Sequence, residues 1–351
     1  MFGAIASFFS SAWPYIVAVI AFLFLIVVHE FGHFIAAKSL GVRVNEFAVG
    51  FGPRIFHKKG KETEYSLRLV PLGGFCAMEG EDEESTDEKA FCRKPAWRRF
   101  LIVVMGAVFN ILFGVLLIGI TLLPQSVYAT TTVSKFTETA VSNQAGGLQA
   151  GDRIVEVEGR HIFTQYDLAY NFSAVEDGNL NMKVVRDGKM VTLNEVPFAT
   201  QTLEGYNVIQ LDFFVYGQKR TVGSFLAETG KTALSYSRIV VFSLIDMLSG
   251  RYHISDISGP VGVTAALGEA AQSGVLDLLP MIALITINLG IFNLLPVPAL
   301  DGGRLVFILI EMIFRKPVPQ KYESWVHAAG MAVLLLFMAV ITVKDIWVRI
   351  F

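Results

Sequence analysis

The chain has 351 residues, of which 53% are hydrophobic and 17% are charged, and its mean hydropathy is +0.52. In soluble domains roughly a quarter of all residues are charged, so this composition indicates a membrane protein. The formal net charge of -2 excludes nucleic acid as an expected partner.

Four apolar segments predict membrane spans. A transmembrane helix needs about 20 predominantly apolar residues, and the candidates lie at 14–36, 100–123, 278–300 and 326–343. The beginning of the chain lacks the basic region of a signal peptide, and its apolar run continues, so we interpret the first segment as a retained helix. The sequence predicts a polytopic α-helical membrane protein with about four transmembrane helices.

The first apolar segment contains the motif His29-Glu30-Phe31-Gly32-His33. At helical spacing His29 and His33 share one face, where two imidazoles can bind zinc while Glu30 acts on a water molecule. The alternative is a chance occurrence of the spacing. Ionisable groups inside hydrocarbon are expensive and usually mark function, so we favour the metal site.

The segment between the first two spans is basic and predicts a β-hairpin. Residues 44–56 and 64–70 are rich in aromatic and β-branched side chains around a polar turn at 58–61. Its exposed edge could pair with an extended peptide, with Gly50 and Gly52 allowing close backbone approach, or the hairpin could only stabilise the loop. The acidic run 79–88 is expected to be a solvated linker.

The distribution of basic residues predicts the topology. Lysines and arginines concentrate between the first two spans and again between the third and fourth, and such residues favour the cytoplasmic side. Both termini and residues 124–277 are then expected outside. Cys76 and Cys92 fall in the cytoplasmic loop, where thiols stay reduced, and their spacing is unlike that of a zinc site.

The long external region is expected to contain two parts. Residues 130–198 have the pattern of short strands and turns, and 145–159 resembles a PDZ domain through its Gly-Leu and Gly-Asp-x-Ile pattern. Such a domain could bind peptides by strand addition or could screen out substrates with bulky external parts. Residues 223–274 are amphipathic with scattered charges, which favours helices at the membrane interface over a fifth span.

The end of the third apolar segment supplies a third candidate ligand. Two histidines leave a catalytic zinc one protein ligand short. The stretch 293–303 contains Pro296 and Pro298, which break helical hydrogen bonding, and it ends in Asp301 followed by two glycines. Asp301 could instead be a solvated turn residue. Glu311 and Asp246 are rival ligands, but no helix break lies beside either of them.

With these motifs the chain resembles the bacterial site-2 proteases, which are intramembrane zinc metalloproteases of the regulator of sigma-E protease type, peptidase family M50. Further matches are 47–53, 71–75, Gly106 and Asn110, whereas Ala107 stands where relatives often have proline, which leaves the local helix shape in doubt. The resemblance implies a zinc cofactor held by His29, His33 and Asp301, with Glu30 as general base.

The same resemblance implies substrate contacts. It assigns Asn293 to stabilisation of the oxyanion, although Asn293 or Asn288 could equally form an interhelical hydrogen bond. It implies a membrane-dipping hairpin close to the site and substrate contacts at Gly50, Gly52, Pro296 and Pro298. The expected partners are membrane lipid and single-span membrane proteins, such as anti-sigma factor stubs or remnant signal peptides. The expected location is the bacterial cytoplasmic (inner) membrane.

The expected organisation follows the spans and motifs in chain order. It comprises a first transmembrane helix with the zinc motif (1–40), a cytoplasmic loop with the β-element and acidic linker (41–99), a second transmembrane helix (100–124), an extracytoplasmic PDZ domain of α+β type (125–215), interfacial amphipathic helices (216–275), a third transmembrane segment with the Asp-Gly motif (276–303), a cytoplasmic loop (304–325) and a fourth transmembrane helix (326–351). A binding protein with an inactive metal site is disfavoured because all four site positions are filled. A secondary transporter is disfavoured because neither motif is repeated.

Overall fold

A computed structural model describes residues 2–81, 83–173, 178–203, 206–250 and 258–350. The chain divides into two compact units, one formed by 1–117 with 244–351 and the other by 118–243. Among the described residues, four helices are long and apolar enough to cross a membrane, and β-sheets accompany them. The prediction of a membrane protein with four spans and mixed α and β content is confirmed at this level.

The candidate spans are displaced by a few residues from the predicted segments. They are Tyr15–Ser39 within α1 (Phe2–Ser39), Ala96–Leu122, which is α2, Val275–Leu294, which is α6, and Lys321–Trp347 within α8 (Gln320–Ile350). The third span was predicted to continue to residue 300, but α6 ends at Leu294. Proline lacks an amide hydrogen and disfavours helical backbone at the residue before it, so Pro296 and Pro298 end the helix early.

The connection between the third and fourth spans is mostly helical, in contrast to the loop predicted at 304–325. Helix α7 (Asp301–Phe314) begins at the aspartate itself, and α8 begins at Gln320. The amphipathic pattern of 301–314 accounts for a short helix with one buried face. Asp301 is therefore the first residue of a helix and not the end of one.

Helices α1, α2 and α6 pack closely through glycine. A Cβ atom at Gly32 of α1 would collide with the Met105 carbonyl oxygen of α2, and one at Gly290 of α6 would lie 2.9 Å from the Ala107 carbonyl oxygen. Small residues let transmembrane helices approach backbone to backbone. Helix α2 is continuous through Ala107, the position at which the family resemblance left the local helix shape in doubt.

The predicted hairpin is present and is longer than expected. Strands β1 (Val44–Lys59) and β2 (Glu64–Met78) pair antiparallel. Residues 46–49 have strand partners on both sides, at 74–77 and at 64–67, and Val44 pairs with Met78. Among the described strands, segment 74–78 pairs only with this part of β1, so its other side is an open edge of the sheet.

The predicted interfacial region contains α4 (Val222–Leu248) and α5 (Pro260–Ser273), and neither is a candidate span. Residues 251–257 of this region lie outside the described residues. Helix α5 packs against α1, with Leu267 and Ala18 both fully buried. The carboxylate of Asp345 in α8 accepts hydrogen bonds from the Gly259 and Gly262 amides at 2.9 and 2.8 Å and so caps the beginning of α5.

The second unit is built on a six-stranded sheet. Its strand order is β10-β3-β4-β6-β7, with β5 beside β4. The strands are β3 (Val127–Phe136), β4 (Arg153–Val157), β5 (Arg160–His161), β6 (Asn179–Arg186), β7 (Lys189–Pro197) and β10 (Phe213–Lys219). Helix α3 (Gln165–Ser173) follows β5, and β8 (Thr200–Leu203) pairs with β9 (Tyr206–Ile209) as a separate hairpin. Alternating apolar residues of these strands form a buried core around Val133, Ile154 and Leu180.

Candidate metal centre

The two histidines of the α1 motif lie together on the buried face of the helix. His29 and His33 are each 7% exposed, and their Nε2 atoms are 3.1 Å apart. This proximity follows from the helix, because residues four apart lie one above the other on the same face.

Asp301 joins the histidines from the beginning of α7. Its Oδ2 atom is 3.0 Å from His29 Nε2 and 3.1 Å from His33 Nε2. These contacts lack hydrogen-bond geometry, and the buried Oδ2 atom has no hydrogen-bond partner among the described residues. One ligand atom from each of the three residues therefore points at a common position, and among the described residues these three form a group that could hold a metal ion.

The connection from α6 to α7 packs closely against the first turn of α7 and so positions Asp301 beside the two histidines. A Cβ atom at Gly302 would collide with the Leu295 carbonyl oxygen, and one at Gly303 would lie 2.6 Å from the Val297 carbonyl oxygen. On the other side, His327 of α8 accepts a hydrogen bond from the Ala299 amide at 3.1 Å. The paired glycines that follow Asp301 are thus needed for backbone packing.

The rival ligands lie elsewhere. Glu311 forms an ion pair with Arg99 of α2. Asp246 is buried in α4 and does not belong to the ligand group found among the described residues. Cys76 and Cys92 are free thiols that also stand outside this group.

Each imidazole has a second contact through its Nδ1 atom. His33 Nδ1 donates to the Ile102 carbonyl oxygen at 2.9 Å, and His29 Nδ1 lies 3.2 Å from the side-chain amide of Asn110. Partners of this kind orient metal-binding histidines. Sequence reasoning noted Asn110 only as part of the family resemblance, although a polar residue inside an apolar span was itself a signal.

A cavity of about 400 Å³ opens beside the three ligand atoms. Its lining includes Glu30, which is half-buried and close to the hairpin: a Cβ atom at Gly74 would lie 3.7 Å from Glu30 Cγ. The open edge of the hairpin also lines the cavity, through Phe75, Cys76, Ala77 and Met78. Glu81 of the turn after β2, Val103 of α2 and Arg304 of α7 complete this part of the lining. The sequence predicted a nearby edge strand but not that its last residues, 75–78, would line the site.

The other predicted substrate contacts lie outside this lining. Gly50 and Gly52 occupy the bend of β1, with φ angles of +88° and +82°. Pro298 packs against α8, where a Cβ atom at Gly330 would collide with its ring, and Pro296 is exposed. Asn293 is half-buried, and its side-chain amide makes no hydrogen bond within the described part of the chain, unlike the interhelical role considered for it.

One face of the hairpin carries a charged network. Burial alone would raise the pKa of Glu46, but hydrogen bonds from Ser66, Arg68 and Arg54 at 2.5, 2.8 and 2.9 Å lower this pKa to about 2. Glu46 therefore remains charged throughout the neutral pH range. The network joins β1 to β2 by hydrogen bonds. Phe75 lies on the same face, with its ring under the Arg68 guanidinium.

The family model of peptidase family M50 matches residues 17–337 of the chain. A protein of Clostridium acetobutylicum, provisionally named a zinc metalloprotease, is 33% identical over 331 residues, which cover 94% of this chain and 96% of the relative. The zinc metalloprotease RasP of Geobacillus kaustophilus is 28% identical over 408 residues, covering 93% of this chain and 96% of RasP. These bacterial relatives and the four candidate spans indicate a protein of the bacterial inner membrane. The chain therefore belongs to peptidase family M50 and is a zinc metalloprotease.

Proposed function

We propose that this protease hydrolyses peptide bonds within the transmembrane segments of single-span membrane proteins. In this proposal His29, His33 and Asp301 hold zinc, and Glu30 is the general base. The observation that carries the proposal is the convergence of three ligand atoms from α1 and α7 beside Glu30, in a cavity bordered by an open strand edge.

The donor set fits zinc. Two imidazole nitrogens and one carboxylate oxygen are ligands that catalytic zinc sites use, and such sites keep a further position for water. The Asp301 oxygen is buried without a hydrogen-bond partner among the described residues, which is costly unless a cation occupies the common position. Zinc, when bound, activates water and polarises a peptide carbonyl.

Glu30 would move the proton. It follows His29 directly on α1 and lines the same cavity, so its carboxylate is within the space where water and substrate would meet. As general base it takes a proton from the attacking water, and as general acid it delivers that proton to the departing amine. Asn293, whose amide has no protein partner in the described part of the chain, is the proposed donor to the oxyanion.

The hairpin edge would hold the substrate extended. Peptide bonds in an intact helix are hidden in internal hydrogen bonds, so a transmembrane substrate has to be unwound before cleavage. Segment 74–78 offers unpaired backbone groups next to Glu30, and strand addition to it would supply main-chain hydrogen bonds to an extended peptide. Gly50 and Gly52 shape the sheet at its bend, while Pro296 and Pro298 shape the connection to Asp301.

Residues 125–215, which belong to the second unit, are the proposed extracytoplasmic PDZ domain. The sheet of that unit and α3 support this, as does the Gly-Leu and Gly-Asp pattern: Leu148 is buried, and Asp152 accepts hydrogen bonds from the Gln149 amide and from Arg186 at 2.8 and 2.7 Å. Peptide binding and size selection both remain compatible with this fold.

The basic residues flanking the spans support external termini. A reporter enzyme that is active only outside the cytoplasm, fused to the C-terminus, tests this topology.

Anti-sigma factor stubs and remnant signal peptides are the proposed substrates, because both are single spans that lack a large external domain. The decisive experiment compares purified wild-type protein with Glu30→Gln and Asp301→Ala, measuring zinc content and cleavage of one purified single-span substrate. Glu30→Gln should retain zinc and lose cleavage, since the amide cannot accept the proton, and Asp301→Ala should lose both. Full cleavage by Glu30→Gln would refute the mechanism.

A further inference from the structure

The Asn110 side chain faces His29, the site imidazole for which the described residues supply no backbone partner. Asn110 is fully buried in α2, and its Nδ2 atom lies 3.2 Å from His29 Nδ1. His33, by contrast, is oriented by the Ile102 carbonyl oxygen, which can only accept a hydrogen bond. The two histidines therefore differ in what fixes them.

The backbone and the Cβ atom of Asn110 contact helix α6. Thr286 of α6 donates a hydrogen bond to its backbone carbonyl oxygen at 3.2 Å, and a Cβ atom at Gly290 would already lie 3.4 Å from the Asn110 Cβ. In the described orientation its Oδ1 atom is buried and has no hydrogen-bond partner among the described residues.

Metal binding through Nε2 changes the kind of hydrogen-bond partner that His29 Nδ1 requires. A neutral imidazole that presents its Nε2 lone pair to a metal carries its proton on Nδ1, so Nδ1 becomes a donor and requires an acceptor. The oxygen and nitrogen of an asparagine amide occupy nearly equivalent positions, and a half-turn of the amide exchanges them. That exchange brings Oδ1 to His29 Nδ1, where it can accept the Nδ1–H, and turns Nδ2 to the position that Oδ1 holds in the described orientation.

We propose that Asn110 is a positioning residue for the metal site, whose side-chain oxygen accepts the His29 Nδ1–H and thereby directs Nε2 toward the ion. This inference rests on the proposed zinc site. Asn110 touches neither substrate nor metal, and it acts only through the orientation and tautomer of His29. A residue that merely fills space between α2 and α6 would have no influence on metal affinity once its volume is preserved.

The test measures zinc affinity by competition with a chromophoric chelator, and ligand geometry from the visible absorption of the Co²⁺-substituted protein. Asn110→Leu keeps the approximate volume and removes the acceptor, Asn110→Ala is a second apolar variant, and Asn110→Asp keeps an acceptor. Thr286→Val is the matched control, because it removes a hydrogen bond to the same residue without affecting the amide.

We expect Asn110→Leu and Asn110→Ala to lower zinc affinity about 10–100-fold and alter the Co²⁺ spectrum, with Asn110→Asp and Thr286→Val remaining within about threefold of wild type. Unchanged affinity in the apolar variants, or an equal loss in Thr286→Val, would overturn the inference. His29→Ala separates the two proposals. If His29→Ala retains zinc, the zinc-site proposal itself fails; if it loses zinc while the apolar Asn110 variants keep it, only the role of Asn110 fails.

Discussion

Gly106 of α2 lies directly over the two imidazoles. A Cβ atom there would collide with His33 Nε2 and would lie 2.6 Å from His33 Cε1 and 2.8 Å from His29 Cε1. Those atoms belong to the edge of each ring that faces the proposed metal position. The smallest side chain would therefore displace the ligand nitrogens, so glycine is required here by chemistry as well as by helix packing.

At this scale we expect Gly106→Ala to lower zinc affinity at least about tenfold, because the added methyl group pushes both imidazoles out of position. Equilibrium dialysis against zinc measures the change. Gly119→Ala is the control on the same helix, since its Cβ would meet only Phe225 and Thr229 side-chain atoms at 3.6 and 3.9 Å, which is ordinary contact. Equal zinc affinities for the two variants would contradict this account of the site.

At the scale of the elements, the β1–β2 hairpin has a bend in β1 that contains Gly50 and Gly52. Gly50 and Gly52 both have positive φ angles, but only Gly50 meets backbone: a Cβ atom there would lie 2.7 Å from the Val70 carbonyl oxygen and 3.0 Å from that of Arg68. At Gly52 the nearest atom would be a Val70 methyl carbon at 3.6 Å. The close approach expected at both glycines exists at Gly50 alone.

The two glycines give a matched pair of variants. Left-handed backbone costs an alanine about 1–2 kcal/mol at either position, but Gly50→Ala adds a backbone collision. We expect Gly50→Ala to lower the thermal unfolding midpoint in detergent more than Gly52→Ala, and to slow cleavage of a helical substrate more. If both variants unfold at the same temperature, the bend does not depend on close packing at Gly50.

For the whole molecule, the proposed zinc would connect parts of the chain that are far apart in sequence. His29 and His33 belong to the first candidate span, and Asp301 belongs to α7, just after the third. All three residues belong to the unit formed by 1–117 and 244–351. Residues 118–243 form a second unit with its own buried core. Metal binding should therefore stabilise one unit only.

Removing zinc with a chelator should increase hydrogen exchange in α1, in residues 295–300 and in α7. A ligand present at 1,000 times its dissociation constant contributes about 4 kcal/mol, so the effect should be large where the ligand elements join. The sheet strands of the second unit serve as the internal control and should exchange unchanged. A protein carrying His29→Ala should not respond to the chelator, and equal responses in both units would contradict a metal confined to the first.

Local patterns in the chain were enough to identify the spans, the hairpin, the His29 and His33 pair and the candidate Asp301, because helical spacing, strand alternation and the high energy of burying charge in lipid act over short distances. The resemblance to family M50 rested on the same motifs. Four features depended on contacts between distant segments, which no local pattern encodes. They are the start of α7 at Asp301, the open edge at 74–78 lining the cavity, the closeness of Gly106 to both imidazoles and the pairing of Asn110 with His29. Each depends on how segments far apart in the chain pack against one another, so only the tertiary structure could decide it.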